Sequence, residues 1–201
     1  MDRRKFIFSS SLAAISITTF GSIVKHVNGS FVGDCDTTND ILGPFYRENA
    51  PIRSDLTYNG LEGVRIILKG KVFKSDCISP LKNAGVEIWH CNSKGDYDND
   101  TKEFKQRARW NTNEKGEYSF KTILPGKYLN GELYRPSHIH FRVTEKESKE
   151  LISQIYFKGD PYIVKDPWAS QDKSKLRILQ IIPQGVDGSL TINFDIYLNN
   201  K

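Results

Sequence analysis

With 201 residues, 38% hydrophobic and 26% charged, the chain is long enough and apolar enough to bury the core of one domain plus a short extension. Its formal charge of +5 is concentrated at the start, where Arg3, Arg4, Lys5 and Lys25 against Asp2 give +3 within residues 1–29 and leave +2 elsewhere. A residual +2 with no basic stripe interleaved with aromatics excludes nucleic acid as a partner.

The opening run Asp2-Arg3-Arg4-Lys5-Phe6-Ile7 leads into an apolar stretch from Phe6 to Val24, broken only by Ser, Thr and Gly. This resembles a twin-arginine export signal. A Sec signal or a retained anchor fits the same stretch, which is near the length needed to span a bilayer. Residues 1–29 are therefore read as a signal or N-terminal anchor and residues 30–201 as the folded domain. The expected location is exported, periplasmic or extracellular, with membrane association only through an uncleaved N-terminal segment. No clean small-x-small cleavage site appears before Asn28-Gly29-Ser30, so cleavage stays open. Cys35, Cys77 and Cys91 are an odd number, which in an oxidising compartment allows one disulfide and one free thiol; the pair stays open.

A loop-like stretch from Phe31 to Leu61, containing Gly43-Pro44-Phe45-Tyr46, separates this segment from a series of short β-type runs. These are Val64 to Phe73, Gly85 to His90, Glu117 to Ile123, His138 to Thr144, Leu151 to Phe157, Arg177 to Ile182 and Leu190 to Leu198. Short strands punctuated by Gly, Pro and Asn, without a helical period, predict an all-β sandwich of about seven to eight strands with long loops. Binding residues collect on loops at one end of such a scaffold. Lys94-Gly95-Asp96-Tyr97 and Leu124-Pro125-Gly126-Lys127-Tyr128 each place a tyrosine in or beside a turn, and rim packing is the plain reading of either tyrosine alone.

His138, Ile139 and His140 carry the most information. The chain has four histidines, and two of them stand one residue apart in a β-prone run. Alternate side chains of a strand share a face, so both imidazoles project together and Ile139 points away. Two neutral imidazoles on one face make half of a transition-metal site. His90, alone in its strand, is read as structural.

Together these fragments, in this order, resemble the intradiol ring-cleavage dioxygenases, the family of the protocatechuate and catechol ortho-cleaving enzymes. The resemblance runs from about Gly43 to about Pro161. It rests on Gly43-Pro44-Phe45-Tyr46, on Val86 to His90 leading into Gly95-Asp96-Tyr97, and on Gly116 to Tyr128. Arg135-Pro136-Ser137-His138-Ile139-His140-Phe141 and Gln154 to Pro161 complete it. The resemblance implies a mononuclear non-haem Fe(III) held by Tyr97, Tyr128, His138 and His140, with a catecholic substrate and O2 as partners. It further implies that Tyr128 is the ligand released when substrate binds, that Arg135 stabilises negative charge on the activated ring, and that Gln154 lies beside the substrate. Phenolates suit this metal because a hard trication can hold as an anion a tyrosine that otherwise titrates near pKa 10. The implied product is a cis,cis-muconate-type diacid containing both atoms of O2.

The chain departs from the family in two places. Only six residues lie between Tyr128 and Arg135, which implies a more open pocket, and no sizeable helical module precedes the sandwich. Homo-oligomerisation is left open. Two other readings compete. A cupin-like site could use His138, His140 and Glu145, but no histidine follows His140 to complete it. A transthyretin- or adhesin-like binding module would share the strand pattern without the chemistry.

Overall fold

The computed structural model describes residues 35–183 and 190–199, together with the backbone of three short strands nearer the start. Those strands, β1 (Ser16–Ile17), β2 (Ile23–Val27) and β3 (Ser30–Gly33), pair with one another in an antiparallel sheet. The rest of the expected signal or anchor over residues 1–29 lies outside the described residues. Among the described residues, no helix is long and apolar enough to cross a membrane.

Two five-stranded sheets face each other. One has the order β12-β11-β10-β5-β6 and contains β5 (Gly85–Trp89), β6 (Arg107–Asn111), β10 (His138–Thr144), β11 (Leu151–Phe157) and β12 (Ile178–Leu179). The other is built around β4 (Arg65–Phe73), with β7 (Glu117–Ile123) antiparallel along one edge. Along its other edge β14 (Leu190–Asn193) and β15 (Ile196–Tyr197) follow one another in parallel, and β13 (Ile182–Pro183) flanks β14. A separate hairpin, β8 (Tyr128–Asn130) and β9 (Leu133–Arg135), stands beside them. Two 3-10 turns, η1 (Ile163–Lys165) and η2 (Asp172–Arg177), lie between β11 and β12.

Alternation drives this assembly. Ile139, Phe141 and Val143 of β10 point inward with Val86, Ile88 and Ile155, and they meet Ile66, Leu68, Phe120 and Ile192 from the other sheet. All are nearly or fully buried, and burial of each such side chain contributes about 1.5–3 kcal/mol.

The strands Glu117–Ile123, His138–Thr144 and Leu151–Phe157 lie where their alternation predicts. Two predicted runs are broken instead. Leu190 to Leu198 divides because the Asp195 side chain accepts the Lys71 N–H at 2.8 Å, replacing a ladder partner. Arg177 is not a strand residue: it closes η2, and its buried guanidinium is held by Asp40, Ser174, Thr38 and the Gln154 carbonyl. The strand β6 was not expected, because its sequence Arg-Ala-Arg-Trp-Asn carries no alternating pattern and it lies at a sheet edge.

Cys35 and Cys77 form the disulfide, with Cα atoms 6.0 Å apart, and Cys91 is the buried free thiol. The bridge fastens the start of a strap, residues 36–47, that crosses the outer face of the β10 sheet. Along it the Asp40 N–H bonds the Ile152 carbonyl, Thr38 accepts the Ser153 hydroxyl, and Asp40 takes the Tyr156 hydroxyl and the Arg177 guanidinium.

Candidate active site

The outer face of β10 carries His138 and His140. Antiparallel register sets Tyr156 opposite His138, and it flanks His140 with Gln154 on β11 and Trp89 on β5. Trp89 lies flat on the His140 ring, centroids 4.9 Å apart and planes within 4°. Strap residue Gly43, at φ +75°, covers the other side: a Cβ there would stand 2.8 Å from His140 Cε1. The imidazole is thus fixed between an indole and bare backbone.

Two loops bring the tyrosines to these histidines. A Cβ on Gly95 would lie 2.4 Å from the Lys127 carbonyl oxygen, and one on Gly126 would lie 2.5 Å from that of Ser93. The Gly126 N–H bonds the Asn92 carbonyl at 2.9 Å and the Cys91 thiol donates to the Gly126 carbonyl. The turn after β5 and the turn after β7 are therefore docked backbone to backbone, which only glycine permits at both points. Tyr97 leaves the first turn and Tyr128 the second.

The four rings close a circuit. Centroids are 5.6 Å apart for Tyr97–Tyr128, 5.6 Å for Tyr128–His138, 4.9 Å for His138–His140 and 6.5 Å for His140–Tyr97. Phe45 of the strap stacks on Tyr97 at 4.3 Å and meets Tyr128 edge-on at 5.7 Å. Arg107 secures that arrangement by donating to the carbonyls of Phe45 and Asp98.

Burial here is deep and polar. His138 Nε2, both nitrogens of His140 and the Tyr97 hydroxyl are buried without a hydrogen-bond partner. Such groups cost about 1–3 kcal/mol each when left unmade, so their clustering marks a place for a ligand. His138 Nδ1 donates to the Pro136 carbonyl at 2.6 Å, which turns Nε2 toward the cluster as a lone-pair donor. Burial pushes His138 down to about 3, with Arg135 adding to the effect. Burial, His138, Arg135 and Arg107 hold His140 well below its ordinary value; the Ile41 carbonyl tempers this without closing a hydrogen bond to either nitrogen. Both imidazoles are therefore neutral. Burial raises Tyr97 well above 10, and it raises Tyr128 as well, against the opposing charge of Arg135. Only a strong local cation would make these phenols anionic. Two neutral imidazoles and two phenols of this kind fit a hard ferric ion. Among the described residues no three His, Cys, Asp or Glu side chains are placed to hold a metal ion together, so the cupin-like set of His138, His140 and Glu145 does not form. Glu145 instead lies beyond the far end of β10, accepting the Glu147 N–H and the Ser148 hydroxyl.

Residues 41–200 match the family model described as Dioxygenase. The chain belongs to the intradiol ring-cleavage dioxygenase family. It is 33% identical over 150 residues to catechol 1,2-dioxygenase 2 of Acinetobacter lwoffii, covering 65% of this chain and 54% of that protein. It is 30% identical to chlorocatechol 1,2-dioxygenase of Rhodococcus opacus, covering 82% and 73%. The crystal structure of catechol 1,2-dioxygenase from Pseudomonas arvilla C-1 superposes with a TM-score of 0.72 at 28% identity, covering 82% of this chain and 62% of that one. The chain spans about half the length of the first curated relatives it matches.

In this member of the family the six residues between Tyr128 and Arg135 form the β8–β9 hairpin, whose register pairs Tyr128 directly with Arg135. The buried Arg135 guanidinium donates to Gln154 Oε1 at 2.9 Å and reaches the Tyr128 hydroxyl at 3.5 Å. Gln154 in turn donates to the Ile41 carbonyl of the strap. All six expected site residues, Tyr97, Tyr128, Arg135, His138, His140 and Gln154, thus meet in one place. Those that sequence reasoning missed are the supports. Phe45 was legible only as part of a motif and Trp89 only as a strand residue, while Asp166, which accepts Arg135 Nε, and Trp168, whose ring lies under that guanidinium, gave no signal. His90 is structural: buried, it donates from Nδ1 to the Cys91 carbonyl and accepts the Thr122 hydroxyl at Nε2.

Proposed function

We propose that this chain cleaves a catecholic ring between its two hydroxylated carbons, consuming O2 and yielding a cis,cis-muconate-type diacid. The observation that carries this reading is the circuit of two phenols and two imidazoles in which the Tyr97 hydroxyl, His138 Nε2 and both His140 nitrogens are buried and unpartnered. Tyr97, Tyr128, His138 and His140 would hold a single Fe(III). When bound, that ion supplies Lewis acidity toward the catecholate oxygens and draws electron density from the ring toward itself.

The remaining roles belong to the chain. Tyr128, whose hydroxyl lies beside the Arg135 guanidinium while that of Tyr97 is buried without a partner, would be the ligand suited to leave, and its Oη is placed to take a catechol proton. Arg135 Nη1, beside that oxygen, stabilises negative charge on the ring, a preorganised effect of the kind that dominates many active sites. Gln154 holds the guanidinium from the opposite side. The strap, through Gly43 and Phe45, keeps water from the imidazoles. The names of the relatives span catechol, chlorocatechol, hydroxyquinol and protocatechuate enzymes, and the proposal is the catecholic class as a whole.

A visible spectrum tests this reading. Aerobically iron-loaded protein should be red-brown from phenolate-to-iron charge transfer, lose part of that band in Tyr128→Phe, and shift on addition of catechol. Turnover under labelled O2 should place one labelled oxygen in each carboxylate. A colourless protein holding stoichiometric zinc would sink it. We also propose that the chain is exported, a reading supported by the Cys35–Cys77 disulfide, because such bridges persist in oxidising compartments. Cell fractionation with thiol alkylation checks that, and a cytoplasmic pool with three alkylated cysteines would refute it.

A further inference from the structure

Asp166 lies in the turn that follows η1, 31 residues beyond Arg135 in sequence, yet its side chain is fully buried against that arginine. Its Oδ2 accepts Arg135 Nε, and its Oδ1 accepts the backbone N–H groups of Trp168 at 3.0 Å and Ala169 at 2.7 Å. Both oxygens are therefore used, and the carboxylate cannot rotate without losing a partner. Trp168, held by the same turn, lies under the guanidinium with Cζ 4.3 Å from the ring centroid. Asp166 thus grips the Nε edge, Gln154 takes Nη2, and Trp168 supports one face. What remains directed at the Tyr128 hydroxyl is Nη1.

We infer that Asp166 is a positioning residue for the proposed ring cleavage, acting through Arg135 by fixing which edge of the guanidinium faces the substrate. This rests on the reading given under Proposed function, since it assigns Arg135 a task there. A buried arginine without a partner for Nε would turn to find one, and the site would lose a charge aimed at a defined point. Misplacing a charge by about 1 Å costs roughly 10²-fold in rate.

The test has two arms. In the metal-free protein, the Arg135 Nε–H signal in a nitrogen-15 NMR spectrum should exchange slowly with solvent, and it should exchange fast in Asp166→Asn, whose amide nitrogen cannot accept. Fast exchange in the parent protein overturns the inference whatever the activity. In iron-loaded protein, Asp166→Asn should lower kcat by about 10²-fold, with a much smaller change in KM and unchanged iron content, and Asp166→Glu should recover part of the loss. In an Arg135→Ala background the Asn substitution should cost nothing further in kcat. Equal losses in both backgrounds would mean that Asp166 merely supports the fold, and would overturn it. Absence of turnover in the parent with every catechol would overturn the functional reading and leave the NMR arm to decide the positioning.

Discussion

Over the first four residues of β10 the side chains of the two faces are buried to the same depth: Ile139 and Phe141 are at most 2% exposed, and His138 and His140 are 1% exposed. The inner face is satisfied by dispersion and by removal of apolar area from water. The outer face buries three imidazole nitrogens and a phenol with no partner. A fold carries such a cost only where occupation of the site returns it, so equal burial on the two faces has opposite meaning. One face makes the protein stable. The other makes it able to bind.

The sharpest way to break that comparison is His140→Leu. It should abolish iron binding while leaving the metal-free protein no less stable, or more stable by up to about 1–3 kcal/mol, since two unpartnered nitrogens disappear. Urea unfolding of both metal-free proteins measures this, and a clear loss of stability would mean the outer face also holds the fold together. The mirror experiment is Phe141→Ala, one residue away on the inner face. It should lower stability by about 3–5 kcal/mol, while the fraction that stays folded still takes up iron and colour.

Gly126→Ala probes how the loops are joined. Its Cβ would lie 2.5 Å from the Ser93 carbonyl oxygen, so the docked turns must part and Tyr97 must separate from Tyr128. Iron affinity should fall by about 10–100-fold, as when a supporting group around a metal is lost, measured by competition with a chelator. Unchanged affinity would show that the turns can move without moving the phenols.

The smallest effect concerns pH. Burial pushes His90 down to about 4 from 6.5. Its folded value lies below its unfolded one, so the unfolded chain takes the proton first as pH falls. Stability is therefore full above about pH 6.5 and is lost as pH drops toward 4. For His90 alone the loss between pH 7 and pH 5 should be about 2 kcal/mol. Metal-free His90→Gln should show an acid limb shallower by that amount in urea titrations at the two pH values. Parallel limbs would mean that His90 keeps an ordinary pKa.

Legibility followed the range of the signal. Strands with strict alternation, such as Glu117–Ile123 and His138–Thr144, could be read directly, because each residue reports its own face. β6 could not, since Arg107 is buried by donating to the carbonyls of Phe45 and Asp98 rather than by being apolar. Tyr97 and Tyr128 were readable as turn tyrosines, and family resemblance was needed to join them to the histidines. Asp166 was unreadable, because nothing in its own neighbourhood announces a partner 31 residues away.

By itself, then, the order of residues determined which side of each regular strand meets the core and that two imidazoles share a face, because a period of two is a local property of the backbone. Only the tertiary structure decided which cysteines pair, how the strap closes over His140, and that two glycine turns dock so that the phenols complete the circuit. Those outcomes depend on distances between segments far apart in the chain, and such distances are set by the packing of the whole sandwich.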